Sequence, residues 1–418
     1  MMEQPTQNIT TQCVIAGGGP AGMMLGWLLA RAGVDVVVLE KHADFFRDFR
    51  GDTIHPSTLE LMHELGVLDE FLKRPHQEIR ELSVQIGDEK TTIADFRHLP
   101  TAAKFIALML QWDFLNFVAE QAKQYSTFRL LLEAPVTDLL TEDDRVTGVR
   151  VATAHGPQEI RAGLVVGADG RSSTVRELAK MPVHTYGSPI DVLWFRLSHN
   201  PTDPPQTFGR IDKGSLMVMF DRQDYWQCAF VIRKGGFDEI KAGPIAAFRQ
   251  KIGRLISVVP ERVEEIADWN DVKLLTVKVD RLPTWYRPGL LCIGDAAHAM
   301  SPIGGIGINL AIQDAVAAAN ILAGPLLHGP ASIDALRAVQ RRREFPTKVT
   351  QAVQVFIQDN VISHVLRYTK QMTTPLPLKL LARWKYLRRF PARAAGLGVR
   401  PEHVQTPDIH ATPLRARR

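Results

Sequence analysis

Cysteine is scarce in this chain of 418 residues. There are 3, Cys13, Cys228 and Cys292, far apart in sequence and each within an apolar run. No Cys-x-x-Cys occurs, which excludes a disulfide framework and a cysteine zinc site and suits buried thiols in a reducing cytoplasm. No His-Glu-x-x-His, no other metal spacing and no nucleophile–base constellation is present, so zinc hydrolysis and covalent hydrolase chemistry have no carrier. Repeats and low-complexity stretches are missing. The opening "MMEQPTQNITTQ" lacks a basic n-region, so no secretory signal is expected. Val14–Ala30 carries no charge, but five glycines and a proline interrupt it and Arg31 follows, which argues against a membrane span.

What is present is ordinary for a soluble globular protein: 45% hydrophobic and 23% charged residues, in a length that implies two or three domains. The charge is unevenly placed. From Arg341 onward there are 16 Lys+Arg against 4 Asp+Glu, a surplus of 12, whereas the whole chain is only +5 and the first 340 residues are therefore −7. A basic tail of this kind has a surface role of its own. Nucleic acid is not the expected partner, because no basic module interleaved with aromatics is visible.

The order of elements reads as α/β. "CVIAGGGPAGMMLGWLLARAGVDVVVLEK" is strand (Gln12–Ala16), glycine turn, helix from Pro20, and a valine-rich strand (Val34–Leu39) ending at Glu40, a βαβ unit on a parallel sheet. Thr53–Lys73 and Gln111–Tyr125 read as helical. Leu82–Phe96 reads as a hairpin about Gly87-Asp88, and Met181–Val279 as mostly strand with one helix near Pro244–Leu255. The expected organisation is a discontinuous dinucleotide-binding domain (10–75, 100–180 and 280–345), a substrate domain (76–99 and 181–279) and a basic C-terminal helical segment (346–418).

Three motifs carry the chemistry. Gly17-x-Gly19-x-x-Gly22 follows a strand and opens a helix. Gly17 supplies the turn, Gly19 admits a pyrophosphate to the main chain, Gly22 allows helix and strand to pack closely, and the helix N-terminus faces the phosphates. Glu40, 18 residues after Gly22, stands where a carboxylate accepts from ribose hydroxyls. The second motif, "GADGRSSTVR", sets Asp169 and Gly170 after a buried strand; it reads equally as a phosphate-side turn or as a surface turn with a serine cap. The third, "GDAAHAMSPIGGIGINLAIQDA", places Asp295 at a strand end for a sugar-like hydroxyl. Its Gly304–Gly307 turn lets the backbone approach a flat ring, ahead of a helix whose positive end favours a reduced, anionic flavin.

Together the motifs resemble the single-component FAD-dependent monooxygenases of the p-hydroxybenzoate hydroxylase type. "GGGPAG" with Glu40 is similar to that family's adenosine-binding fingerprint, "GADGRSSTVR" to its Asp-Gly motif and the Gly294–Ala315 stretch to its Gly-Asp motif. "FRGDTIHPSTLELMHELGVLD" resembles its segment after the second strand, where Arg50 matches an FAD-contacting arginine, and Gln111 falls where the family often has a Gln or Arg beside the ribityl or pyrophosphate. The resemblance covers roughly residues 10–345. It implies a Rossmann-like FAD-binding domain with an inserted, mostly β substrate domain. FAD would be held by Gly17, Gly19, Gly22, Glu40, Arg50, Gln111, Asp169, Asp295, Gly307, Ile308 and Asn309, and Pro302, Gly304 and Gly305 would shape a dry flavin pocket. NADH or NADPH would reduce the flavin, binding transiently without a domain of its own. O2 would then form a C4a-hydroperoxide that transfers one oxygen atom to an aromatic, phenolic or polyketide-like substrate.

No side-chain base is assigned. Tyr186, His184, Arg196, Tyr225 and Trp226 are candidates in the substrate domain; His298 and His55 read as structural. A reductase or desaturase of the same superfamily, acting on a prenyl or quinone-type substrate, is the alternative, with a binding module lacking chemistry behind it. A halogenase is disfavoured because no Trp-x-Trp-x-Ile occurs. The protein is expected to be a cytoplasmic monomer or homodimer. In the tail, Leu376–Arg393 reads as an amphipathic basic helix. It either caps the FAD domain through its apolar stripe or lies on a membrane surface.

Overall fold

A computed structural model describes residues 9–46, 53–87, 89–203, 208–222, 224–256, 260–368 and 373–411. The frame is a parallel sheet. Strand β1 (Ile9–Ala16) pairs in parallel with β2 (Val36–Leu39) on one side and with Gly156–Gly167 on the other. Phe128–Leu131 extends the sheet beyond β2, and Leu290–Cys292 extends it beyond Gly156–Gly167, both in parallel. These strands are apolar on both faces, as a sheet covered by helices requires: Val14, Ile15, Val37, Val38, Val165, Val166 and Leu291 are all fully buried. Helix α1 (Pro20–Arg31) crosses from β1 to β2 and buries Ala21 through Ala30.

A second sheet of seven strands lies in the order Lys273–Leu275, Ile190–Ser198, Tyr225–Arg233, Ser215–Asp221, Phe208–Asp212, Glu81–Ile86, Glu89–Asp95. The hairpin Glu81–Asp95, distant in sequence, joins the other five strands through one parallel pairing, Gly209–Ile211 with Val84–Ile86. One face of this sheet is sealed by a core of Phe195, Met219, Trp226, Cys228, Phe230, Phe248 and Ile252. The other face carries Val192, Trp194, Leu216, Val218, Phe220 and Val231, and it packs against Ile303, Ile357 and Ile362.

Several elements depart from the sequence expectation. Thr53–Lys73 is not one helix: Thr53–Ile54 is a short strand, Pro56–Glu64 and Leu68–Phe71 are separate helices, and Gly66 at φ +75° breaks the chain between them. Helix Ile306–His328 is long and apolar enough to cross a membrane by length and composition, but 72% of its most apolar window is buried, so it is a core helix. The basic tail changes most. Helix Ile333–Ile357 runs on into Ser363–Arg367, and Leu376–Arg393 breaks at Trp384 into a helix (Leu376–Arg383), a 3-10 turn (Lys385–Arg388) and a second helix (Arg389–Gly396). The stretch from Arg400 to Ile409 then straps back across the first sheet's helices. Arg31 donates to the carbonyls of Thr406 and Pro407, and Tyr125 donates to Asp408 and stacks on His410 at 4.6 Å.

Candidate active site

The nucleotide end is built by close packing of backbone. Gly17 sits at φ +109°, and a Cβ there would lie 2.4 Å from the Ala168 carbonyl oxygen. A Cβ on Gly22 would lie 1.9 Å from the Gly17 carbonyl oxygen, so helix and turn meet only because both positions lack one. Gly19 differs: a Cβ there meets nothing within 4 Å. It is the N-cap of α1, with Pro20 next, and no side chain caps the helix. A helix start left uncapped behind open space fits an anionic group. Glu40 is buried at the end of β2, where its carboxylate accepts from the Gly18 amide at 3.1 Å and the His42 amide at 3.0 Å.

The second motif is tied to the third. The Asp169 carboxylate accepts from the Ser173 hydroxyl and from the Val175 amide at 3.0 Å, while Ser173 caps the helix Thr174–Leu178. That side chain therefore shapes the turn. Arg176 donates to the Ala296 carbonyl at 3.2 Å, and Arg171 lies 3.8 Å from Asp295, itself one-third exposed, so both arginines grip the Gly-Asp segment. A recess of about 410 Å³ lined by Ser172, Ser173, Arg176, Lys180 and Met181 opens beside this turn, and no Gly-Asp residue lines it.

The Gly-Asp segment runs from Leu290–Cys292 through a 3-10 turn at Gly294–Ala296 to helix Ile306–His328. Gly304 and Gly305 are both left-handed, at φ +77° and +61°. A Cβ on Gly305 would lie 2.1 Å from the Thr53 hydroxyl, which donates to the Gly305 carbonyl at 2.9 Å. Gly305 caps the helix without a side-chain partner, and a Cβ on Gly307 meets nothing within 4 Å, so this helix start also faces open space. Asn309 is a cross-link. Its Oδ1 accepts from the His55 amide and the Thr58 hydroxyl, both at 2.8 Å, and its Nδ2 donates to the Thr53 carbonyl at 2.9 Å. Ile308 is buried beside it, and Gln111 opens the helix Gln111–Ala122. Arg50 lies outside the described residues.

Side chains from later in the chain hold this loop. On helix Ile333–Ile357 and its continuation, Gln351 donates to the carbonyls of Asp280 and Ala299, Gln354 donates to those of Ser301 and Ile303 and accepts from the Ser301 amide, and Gln358 donates to the Ser301 hydroxyl. Beneath them lies a buried ionic chain. Asp314 accepts from the Gly294 amide and from Arg343 and pairs with His298; Arg343 also donates to Glu402 of the strap. Burial alone would raise the Asp314 carboxyl, yet His298 and Arg343 hold it below the ordinary carboxylate range. His298 is thus structural in the sense of anchoring the loop. His55 is buried as well: desolvation lowers it to about 4, against the pull of the Ala395 and Gly304 carbonyls. Sequence reasoning does not single out these glutamines or Arg343. The available signal is a polar row at helical spacing (Arg343, Thr347, Gln351, Gln354, Gln358) on a helix whose other side shows Phe345 and Phe356.

Of the candidate bases, Trp226 belongs to the sealed face of the second sheet, while His184 and Tyr186 are exposed and stack edge to face at 4.6 Å. Arg196 lies over the Tyr225 ring at 4.6 Å. All three cysteines are buried and free, and burial pushes their thiols up. Among the described residues no group of three or more His, Cys, Asp or Glu is placed to hold a metal ion.

Two uncapped helix starts on open space, with a carboxylate beyond each, fit an extended dinucleotide cofactor. Residues 10–353 match the family described as FAD binding domain. The chain belongs to this FAD-binding family. It is an FAD-dependent monooxygenase, an oxidoreductase. It is 32% identical over 355 residues to the 6-methylpretetramide 4-monooxygenase of Streptomyces rimosus, covering 84% of each protein. It is 27% identical over 328 residues to the dialkyldecalin synthase of Streptomyces rugosporus, covering 72% of this chain and 63% of that one. The OxyS anhydrotetracycline hydroxylase of Streptomyces rimosus superposes with a TM-score of 0.71 at 21% identity, over 94% of this chain and 77% of that one, which shows the shared fold.

Proposed function

We propose that this flavoprotein uses O2 and NADH or NADPH to hydroxylate a large aromatic compound of phenolic or polyketide type. The observation that carries the reading is the similarity to 6-methylpretetramide 4-monooxygenase over 84% of both lengths. The wall facing the Gly-Asp loop supports it, since Trp194, Leu216, Val218 and Phe220 cluster with Ile303 and suit a flat apolar substrate. Bound FAD would supply the redox chemistry, hydride acceptance from the nicotinamide and O2 activation, with one oxygen atom entering the substrate and the other leaving as water.

The chain's own residues bind, orient and exclude water. Gly17, Gly19 and Gly22 bring the start of α1 to the pyrophosphate, and Glu40 accepts from the adenosine ribose. Asp295 accepts from a ribityl hydroxyl. Gly307, Ile308 and Asn309 would present the start of helix Ile306–His328 to the flavin, and the helix dipole would favour negative charge there. Pro302, Gly304 and Gly305 close the ring pocket to water. Asp169 acts through the arginine grip on Ala296 and Asp295, and Gln111, at the start of its helix, completes the cofactor contacts. Free, buried thiols suit a cytoplasmic enzyme.

The decisive experiment supplies labelled O2 to the purified yellow protein with NADPH and a panel of polycyclic phenols. One labelled atom in the product and substrate-stimulated NADPH oxidation are expected. A product without labelled oxygen rejects hydroxylation and leaves reduction, desaturation or a redox-neutral ring closure.

A further inference from the structure

The segment from Leu376 to Gly396 has an anchored side and an open side. It packs on the edge strand Glu89–Asp95 of the second sheet, where Ala392 is buried with Phe96, Leu99 and Ile106. Gly396 fits tightly there: a Cβ on it would lie 2.7 Å from a Leu99 methyl carbon. The Ala395 carbonyl is 2.7 Å from His55 Nδ1, close behind the Gly-Asp loop.

The apolar stripe divides: Leu381 and Leu387 are half-buried, but helix Leu376–Arg383 buries no residue fully. Instead Leu376, Leu380, Trp384, Tyr386 and Phe390 are 71, 42, 58, 64 and 62% exposed. Between them stand Lys379, Arg383, Lys385, Arg388, Arg389 and Arg393. No acidic residue occurs between Asp359 and Glu402, and among the described residues no carboxylate pairs with any of these six cations. Arg388 is engaged by the carbonyls of Leu381 and Ala382, and Arg389 lies over the Tyr386 ring at 4.8 Å. A protein surface that leaves five large apolar side chains in water is unusual, and one that rings them with uncompensated positive charge repels a second copy of itself. Tryptophan and tyrosine among lysines and arginines is the composition that settles at a lipid headgroup boundary.

We propose that this face docks on an anionic lipid surface, with Leu376, Leu380, Trp384, Tyr386 and Phe390 entering the headgroup region and the cations meeting the phosphates. The segment that carries this face is tied to the loop side of the site by the contact of Ala395 with His55.

The test uses the intact FAD-loaded protein with vesicles of phosphatidylcholine alone and with added phosphatidylglycerol. Flotation with the anionic vesicles at low salt, release at high salt and no flotation with neutral vesicles are expected, because the attraction is screened. The double variant Trp384→Ala/Phe390→Ala should lose at least about tenfold in vesicle affinity. It should keep its flavin spectrum and its thermal midpoint, since both side chains are exposed. Protein that stays at the bottom of the gradient in both cases overturns the proposal, as does flotation indifferent to lipid charge and salt. It is also overturned if the native protein is a dimer that Trp384→Glu converts to a monomer, since the face then belongs to a second copy. None of these readouts depends on turnover.

Discussion

The two glycine loops of the cofactor cleft are made rigid by opposite means. At the Gly17–Gly22 loop, backbone is wedged against backbone, and the side-chain contribution is one carboxylate, Glu40. On the other side of the cleft, from Ser301 to Gly305, no such wedge covers the whole loop; its carbonyls and amides are held by Gln354, Gln358 and Thr53, with Gln351 on the Ala299 carbonyl just before it. A wedge is fixed by local geometry and tolerates no added atom. A polar clamp depends on distant elements and fails one hydrogen bond at a time. The first suits a constant nucleotide, the second a ring pocket that must admit substrate.

The comparison is broken hardest at the base of the clamp. Arg343 is 1% exposed and joins Asp314 to Glu402. Arg343→Met leaves Asp314 with His298 and the Gly294 amide, and Glu402 with Arg342 alone, and should cost about 3 kcal/mol, read by urea unfolding. A loss below about 1 kcal/mol would show that the ionic chain is not what holds the Gly-Asp segment.

Acid should act on the clamp next. His55 is lowered from its ordinary 6.5 to about 4 by burial. Below pH 6.5 the unfolded chain takes up a proton that the folded one refuses, so stability falls between pH 6.5 and 4 and levels off beneath. Taken over that window the loss is on the order of 3 kcal/mol. His55→Asn, which retains a donor near Ala395, should flatten this part of the stability profile; an unchanged slope assigns it to another group.

Single substitutions in the two loops should then separate them. Gly22→Ala forces a Cβ to 1.9 Å from the Gly17 carbonyl, costs about 2 kcal/mol by overpacking and should release FAD on gel filtration. Gln354→Leu removes three hydrogen bonds at the Ser301–Ile303 turn and should cost about 1–2 kcal/mol. Its FAD affinity should stay within about threefold of the parent, while more NADPH is consumed per product formed. Equal loss of FAD from both variants would erase the distinction between wedge and clamp.

The same distinction governs what is legible in the chain. The wedge is legible because its reasons are local: Gly17, Gly19, Gly22 and Glu40 lie within 24 residues, and strand and helix periodicities frame them. The seven-stranded sheet is legible as strands but not in its order, because the parallel pairing of Gly209–Ile211 with Val84–Ile86 spans over a hundred residues. The clamp is not legible. Gln351 or Gln354 at helical spacing looks like a solvated face until the fold sets it on the loop carbonyls. Asn309 reads as a cofactor contact, and in the fold its side chain is engaged by His55, Thr58 and Thr53. The tail stays open at the level of sequence, since an amphipathic stripe fits a core cap and a membrane surface alike; in the fold Leu376, Leu380 and Trp384 of that stripe face water, while Leu381 and Leu387 are half-buried.

The smallest change in stability should come with a clear change in binding, at Gly307. A Cβ there meets nothing within 4 Å, and its φ is not among the left-handed glycines. It lies in the first turn of helix Ile306–His328. Alanine is the better helix former by about 0.5–1 kcal/mol, so Gly307→Ala should leave the apo-protein as stable as the parent or slightly more so. The open space in front of that helix start is where the flavin is proposed to lie. A methyl group placed there would hold the ring off the backbone and should weaken FAD by at least about tenfold, or ~1.4 kcal/mol. Flavin fluorescence titration of apo-protein measures the affinity, and thermal unfolding of the same sample measures the stability. A variant that binds FAD as tightly as the parent would place the ring elsewhere and leave Gly307 only as a helix residue.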